Sequence, residues 1–494
     1  MESQYRSILK ATSIFGGTQF VQILVGLVRS NFVALLIGTT GMGLNSIYMS
    51  SLTVFITIFG MGVNMSVVKD LSKAYDQQDW SHYSSITIAF RRLLFFLGTI
   101  GTLVVAAFSP LLSKWSFGDD QHVWPYVFMS VIVFFTLLSQ GYTAVLISSR
   151  RIKSTATCSL VSSIVSLLIA VPFFYFLRLD GVVPGIVFST IGNFVVTYLF
   201  AREVKTEKVA QSFKETMGIS RSLVALGLAM VIASLMGNLT NYLINISVTH
   251  FGGLSDLGLY GAGITITMQT VTLVFASMGS DYFPRLSAAM VDKDRMNKTM
   301  NEQSEIILLL AVPILSSFML VAPLVVRILL SEEFLPVTSF IRVLCLGMLL
   351  RAASYALGYA SFAKGDKKVY LFLEGGYGNL ANLVLSVTMY YLWGLNGLAW
   401  SFVVNYSLYY LLIRYVDALR YGYRITESVK ILIIVSVVLM SILLAISYIL
   451  PKIWYYSIGG IATLSLTLYY LKILNNKTGL VNALLCQIKS RTGR

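Results

Sequence analysis

Charge is what this chain has least of. Only 12% of its 494 residues are Asp, Glu, Lys or Arg, while 56% are hydrophobic; soluble domains carry roughly 25% charge. A chain so poor in charge cannot clothe a water-facing surface, which excludes an ordinary soluble globule. Histidine and cysteine number three each. His82, His122 and His250 stand in loops or at helix ends with no nucleophile or ligand spacing, and Cys158, Cys345 and Cys486 have neither metal-ligand nor redox spacing. No P-loop is present, which argues against direct ATP use. The outer loops are all short, against a membrane enzyme that must hold its reaction in a formed external site. The sequence therefore implies no catalytic residue, no metal and no cofactor.

What is there is apolar length. Runs sufficient for a ~30 Å hydrocarbon core, about 20 residues each, lie near 11–36, 42–66, 88–112, 123–148, 155–178, 182–203, 221–247, 257–280, 304–329, 336–362, 369–392, 395–417, 430–450 and 454–474. The expected fold class is an all-α polytopic membrane protein of about fourteen helices. The first run is long and lacks a small-residue cleavage site, so it reads as a helix and not as a signal peptide.

The net charge of +15 does not indicate nucleic acid, because the basic residues are spread between the spans. Counted by alternate loops, thirty Lys and Arg share the side of Met1, only Lys114, Arg178 and Lys452 fall opposite, and four Arg lie inside spans. That split follows the positive-inside rule for an even number of crossings with both termini in the cytoplasm.

The chain also repeats. A shift of 215 residues lays Gly43 and Leu44 on Gly258 and Leu259, Thr57 on Thr272, Leu71 and Ser72 on Leu286 and Ser287, and Ala74 on Ala289; a shift of 216 lays Leu179, Gly181 and Val187 on Leu395, Gly397 and Val403. Six spans separate the copies, so both enter the membrane in one sense and a pseudo-twofold axis should run along the membrane normal. The organisation expected is a six-helix bundle over 1–210, a second over 211–427, an appended lipid-facing pair over 428–474 and a tail over 475–494. Such architecture places a transported molecule between the bundles.

Candidate site residues follow from polarity inside spans. Ser46, Ser50, Thr53, Thr57, Gly60 and Asn64 form one face of the second span, and Ser234, Asn238, Asn241 and Asn245 one face of the seventh. Such faces are either packing seams or walls of a wet cavity. Gln22 and Arg29 share a face of the first span, and Gln269 adds an amide in the eighth. Arg351 sits near the middle of the tenth span, where a charge must point into protein or water. Arg327 and Arg342 lie nearer the outer face, either snorkelling or lining an exit. Glu374, early in the eleventh span, is either the ion-pair partner of Arg351 or a proton or cation site. Arg29 and Arg351 together would make a cationic cavity for an anionic head group, since guanidinium offers phosphate a fork of donors.

As a set, GGTQFVQILVGLVRSNFVALLIGTTGMGLN (16–45), MGVNMSVVKDLSKA (61–74), LGLYGAGITITMQTVTLVFASMGSDYFPRLSAA (257–289) and RAASYALGYASFAKGDKKVYLFLE (351–374) resemble the polysaccharide transporter family of the multidrug/oligosaccharidyl-lipid/polysaccharide (MOP) exporter superfamily, O-antigen flippases in particular. The resemblance covers essentially the whole chain. It implies two six-helix bundles around a central cavity, and transfer of an undecaprenyl-pyrophosphate-linked oligosaccharide from the cytoplasmic to the outer leaflet of a bacterial inner membrane. Within that pattern Arg29, Pro284 to Ser287 and Glu374 occupy family positions, and coupling to a proton or sodium gradient is implied. The partners expected are the polyprenyl-linked glycan, membrane lipid and polysaccharide polymerase machinery, with no nucleic acid. The competing reading is a multidrug antiporter of the same fold, which would favour intramembrane acids over the arginines counted here.

Overall fold

The computed structural model describes residues 2–204, 207, 209, 213–277 and 282–478; side chains of 2–24, 27, 29, 225–230 and a few scattered positions lie outside that description. Among the described residues there is no strand. Contacts divide the chain into two compact units, Met1–Gly261 with Leu329–Glu333, and Ala262–Ile328 with Phe334–Arg494.

The first unit begins with α1 (Glu2–Gly60), 59 residues long. Run straight at 1.5 Å per residue, it would be roughly 90 Å long, about three times the hydrocarbon core. It breaks instead at Gly38 (φ 63°, ψ −165°) into two arms, a conformation essentially reserved for glycine. After α2 (Val63–Asp76) come α3 (Trp80–Phe117), α4 (Val123–Met129), α5 (Val131–Ser148), α6 (Ile152–Leu177) and α7 (Val182–Ala201). In α2, Val63, Val67, Leu71 and Ala74 are buried while Lys69 and Lys73 are exposed, so the apolar spacing makes an amphipathic helix of the segment after the second span. Asp79 caps α3 by accepting from the His82 backbone N–H at 2.9 Å. The unit closes with the first arm of α8 (Phe213–Ser277), which breaks at Gly253 (φ 81°, ψ 179°).

In the second unit α9 (Phe283–Ala289) and α10 (Lys293–Leu329) precede α11 (Val337–Lys364). The apolar window of α11 is 83% buried, which makes it the core of its unit. A short α12 (Lys367–Tyr370) runs through a π-helical segment, Leu371–Tyr377, into α13 (Gly378–Tyr421). The hydroxyls of Ser386 and Ser401 lie 3.1 Å apart, whereas fifteen residues of straight helix span roughly 22 Å; α13 is therefore a hairpin, turning at Trp393 and Gly394. The appended pair is α14 (Glu427–Ile449) and α15 (Lys452–Thr478). Tyr455 donates to the Met319 carbonyl at 3.2 Å, and Lys477 pairs with the buried Glu305. Ile449, Ile453 and Ile461 face outward at 76%, 79% and 69% exposure, the apolar exterior of a lipid-facing pair.

Counting two arms each for α1, α8 and α13, one span for α4 with α5, and α3, α6, α7, α10, α11, α14 and α15 singly gives fourteen crossings among the described residues. Nine segments, two of them (Lys153–Ala201 and Val231–Thr272) holding two crossings, are long and apolar enough to cross a membrane among the described residues; the arms of α13 and the first arm of α1 are not among them.

The repeat is structural. Gly38 and Gly253, 215 apart, carry the same break. A Cβ on Gly43 would stand 1.9 Å from the Leu254 carbonyl oxygen, and one on Gly258 would stand 1.9 Å from that of Thr39. Leu71 and Ala74 are 0% and 1% exposed, as are Leu286 and Ala289. The compact units divide at Gly261 and not at the repeat boundary near 210, because the start of the eighth span packs on the start of the second. A short hydrogen-bonded chain adds to this: the Thr39 hydroxyl donates to Glu333 Oε1 at 2.5 Å and lies 2.9 Å from the Ser255 hydroxyl.

Candidate functional site

Within the second unit, α11, the π-helical segment and both arms of α13 enclose a polar cavity of about 480 Å³. Arg351 and Glu374 both line it, as the sequence expected. They share the space without forming an ion pair: the Tyr409 hydroxyl donates to the Glu374 carboxylate, and the Arg351 guanidinium lies 3.0 Å from Met268 Sδ and 5.7 Å from the ring centres of Phe275 and Tyr406. Sulfur is a weak acceptor and ring faces hold a cation loosely, so most of the guanidinium's donor capacity is left for a ligand.

Local sequence explains the acid's position. Gly375, Gly376 and Gly378 follow Glu374, and the helix widens there to the π form, a distortion frequent at functional sites. Asn379 Nδ2 donates to the carbonyls of Glu374 and Gly375 at 2.7 and 3.1 Å, stapling the widened turn. Gly358 faces the carboxylate across the cavity, where a Cβ would come within 3.2 Å of Glu374 Oε1. Asn405 Oδ1 is buried in the cavity wall and accepts no hydrogen bond. Buried acceptors are nearly always satisfied, so this oxygen, with the carboxylate and the Asn379 and Asn382 amides, makes an acceptor-rich lining that suits a proton or a hard cation. Among the described residues no group of three or more His, Cys, Asp or Glu is placed to hold a metal.

The remaining expected residues lie elsewhere. Asn238 donates to the Thr57 hydroxyl at 2.8 Å, joining the second and seventh spans in a packing seam. Thr53 bonds back to its own helix at Met49, and Asn64 donates to Gln140 at 2.6 Å with its Oδ1 buried and unpaired. Asn241 is exposed, Asn245 is buried, and Gln269 Oε1 is buried without a hydrogen bond. None of these lines the Arg351 cavity. Arg342 stacks 4.7 Å from the Tyr455 ring and so holds α15, while Arg327 is exposed. The side chains of Gln22 and Arg29 lie outside the described residues. Sequence reasoning missed Asn382, Asn405 and Tyr409. Asn379, Asn382 and Ser386 at helical spacing were a legible signal, but their partners come from the returning arm of α13.

With this geometry in place, comparisons identify the relatives. A family model described as polysaccharide biosynthesis protein matches residues 32–339. The chain belongs to that family. Among solved structures, this chain is similar to the lipid II flippase MurJ in an inward closed conformation, with 13% identity, 94% of this chain and 98% of that one covered, and a TM-score of 0.71. An inward-facing multidrug resistance MATE transporter of the MOP superfamily aligns at 15% identity over 83% and 95% of the two chains, TM-score 0.68. A MOP superfamily transporter from Pyrococcus furiosus Vc1 aligns at 16% over 83% and 96%, TM-score 0.59. No curated protein matches the sequence. At these identities the structural likeness concerns the fold, which is that of the MOP exporters.

Proposed function

We propose that this protein is a flippase that moves an undecaprenyl-pyrophosphate-linked oligosaccharide, an O-antigen or capsule repeat unit, from the cytoplasmic to the outer leaflet of the inner membrane. The observation that carries the reading is the Arg351 guanidinium, which lines a polar cavity of about 480 Å³ in a membrane bundle and makes no salt bridge among the described residues. A permanently charged fork with open donors suits pyrophosphate oxygens. Arg29 supplies the second cation from the first span. Glu374 serves as the proton or sodium site that couples transport to a gradient, and the basic residues set both termini in the cytoplasm. The protein performs no covalent chemistry of its own; polymerase machinery acts on what it delivers.

Arg351→Ala should leave lipid-linked glycan trapped in the inner leaflet, with the protein still in the membrane and surface glycan lost. Normal surface glycan in that variant would overturn the assignment. A cation antiporter of the same fold is the second reading, favoured by Glu374 in the same cavity; export of a cationic dye, abolished by Glu374→Gln and indifferent to Arg351→Ala, would select it.

A further inference from the structure

A second polar cavity, of about 340 Å³, lies inside the first unit. It is enclosed by α6 and α7 with contributions from α5 and from Val25 and Gly26 of the first span. At about 340 Å³ the cavity falls within the size range of small-ligand pockets and admits a pyranose ring with its hydroxyls. Its chemistry differs from that of the Arg351 cavity. Among the described residues that line it none is charged, and Ser159, Ser162, Ser163, Ser166, Asn193 and Thr197 supply hydroxyls and an amide.

The hydrogen bonds divide these groups by role. Ser163 donates to Ser159 O at 2.9 Å, Thr197 to Asn193 O at 2.8 Å and Ser166 to Ser189 O at 3.3 Å. Each of these hydroxyls has used its proton and keeps lone pairs as acceptors. Ser162 is different: it is 7% exposed, and among the described residues its buried Oγ has no oxygen or nitrogen partner. Its one neighbour of hydrogen-bonding character is the Cys158 thiol, a weak partner. A hydroxyl held only by a thiol in the wall of a polar cavity keeps capacity for a stronger partner from outside the chain.

We infer that this cavity is a binding site for a neutral, polyhydroxylated ligand, a sugar residue. An anion would find acceptor lone pairs and no cation among the described lining groups. A cationic drug would find no carboxylate. A sugar ring offers both donors for the spent hydroxyls and acceptors for Ser162 and Asn193. On the flippase reading, on which the ligand's identity rests, the sugar bound here is one residue of the transported glycan.

The test uses Cys158, which lines the cavity, in the full-length protein held in nanodiscs. Alkylation by N-ethylmaleimide is followed by mass spectrometry with glucose, galactose, N-acetylglucosamine or rhamnose present, and with inorganic phosphate or choline as anionic and cationic probes. At least one sugar should slow Cys158 alkylation several-fold, while phosphate and choline leave it unchanged. Ser162→Ala with Asn193→Ala should weaken that protection about tenfold or more, since each unpaired sugar hydroxyl costs about one such factor. Cys345, 0% exposed, reports folding within the same sample: a variant that leaves it unreactive is folded. If that variant reacts at Cys345, Ser162→Ala alone is scored in its place. No protection by any sugar, protection by phosphate or choline instead, or full protection in the folded variant would overturn the inference. Sugar protection together with normal surface glycan in Arg351→Ala would keep the cavity and discard the flippase.

Discussion

Gly43 and Gly258 make one contact twice: each lies against the carbonyl of the residue four before the other, Leu254 and Thr39, with room for a hydrogen and none for a methyl group. Small residues let membrane helices approach to backbone distance. Within the first unit the pairing relates the two glycine-bearing segments by a local pseudo-twofold. Gly43→Ala and Gly258→Ala should each lower stability by about 1–3 kcal/mol, the range for overpacking, and by similar amounts. Gly460→Ala, with open space around the site, should be neutral in the same thermal unfolding assay. Unequal losses at Gly43 and Gly258 would deny the symmetry.

The second prediction comes from the same repeat. Arg178 turns at φ 53°, ψ −124°, and the residue 216 further on, Gly394, turns at φ 58°, ψ −144°. A non-glycine residue in such a region carries about 1–3 kcal/mol of strain. Arg178 obtains only a 3.4 Å contact with the Leu36 carbonyl in return. Arg178→Gly should therefore raise stability by about 1 kcal/mol after the entropy of the added glycine is counted, and Gly394→Arg should lower it. A lower melting temperature for Arg178→Gly would show that the side chain matters more than the turn.

The fold was legible in the sequence because lipid makes hydropathy decisive: run length fixed the spans, and Gly43, Gly181, Gly258 and Gly397 announced the repeat. Those glycines are legible because each fills a backbone approach; a Cβ on Gly181 would meet the Phe173 carbonyl at 2.2 Å and one on Gly397 the Met389 carbonyl at 1.9 Å, again 216 apart. The site was legible only in its charges. Arg351 and Glu374 stood out as ions in apolar spans, but Tyr409 reaches Glu374 across the α13 hairpin, and no local pattern encodes that meeting. Ser159, Ser162, Ser163 and Ser166 show helical spacing yet were passed over, because a serine that bonds its own helix, as Ser163 does, looks the same in sequence as one that faces a cavity.

His122, between α3 and α4, gives the protein a pH dependence of predictable sign. Its ring stacks on Phe117 with centres 3.6 Å apart, and Nδ1 lies 2.6 Å from the Tyr48 hydroxyl. Burial lowers its pKa, with Asp119 opposing in part. The folded state thus binds this proton less readily than the unfolded chain. Its contribution is complete above the ordinary histidine pKa near ~6.5 and declines as pH falls through that value. Melting temperature should drop between about pH 7 and pH 5.5, and His122→Gln should flatten that drop. An unchanged slope in His122→Gln would assign the dependence to other groups.

Tyr409 and Glu374 should behave as a unit. Among the described residues the phenol is the one side-chain donor that reaches the carboxylate, in a cavity where Asn379 is spent on backbone carbonyls. Tyr409→Phe leaves that acceptor without its donor, a loss of about 1–3 kcal/mol. Glu374→Leu removes the acceptor and strands the phenol. The double variant should fall short of the summed losses by about 0.5–3 kcal/mol, the range for coupled neighbours. On the proposed coupling of transport to a gradient, export separates structure from function: with Tyr409→Phe the carboxylate remains able to hold a proton or a cation, so export should persist with a shifted pH profile, whereas Glu374→Leu should abolish any response to a gradient. Additive losses would show that the two side chains do not share one interaction. Gradient-driven export surviving in Glu374→Leu would remove this carboxylate from the coupling step and leave it a structural partner of the α13 hairpin.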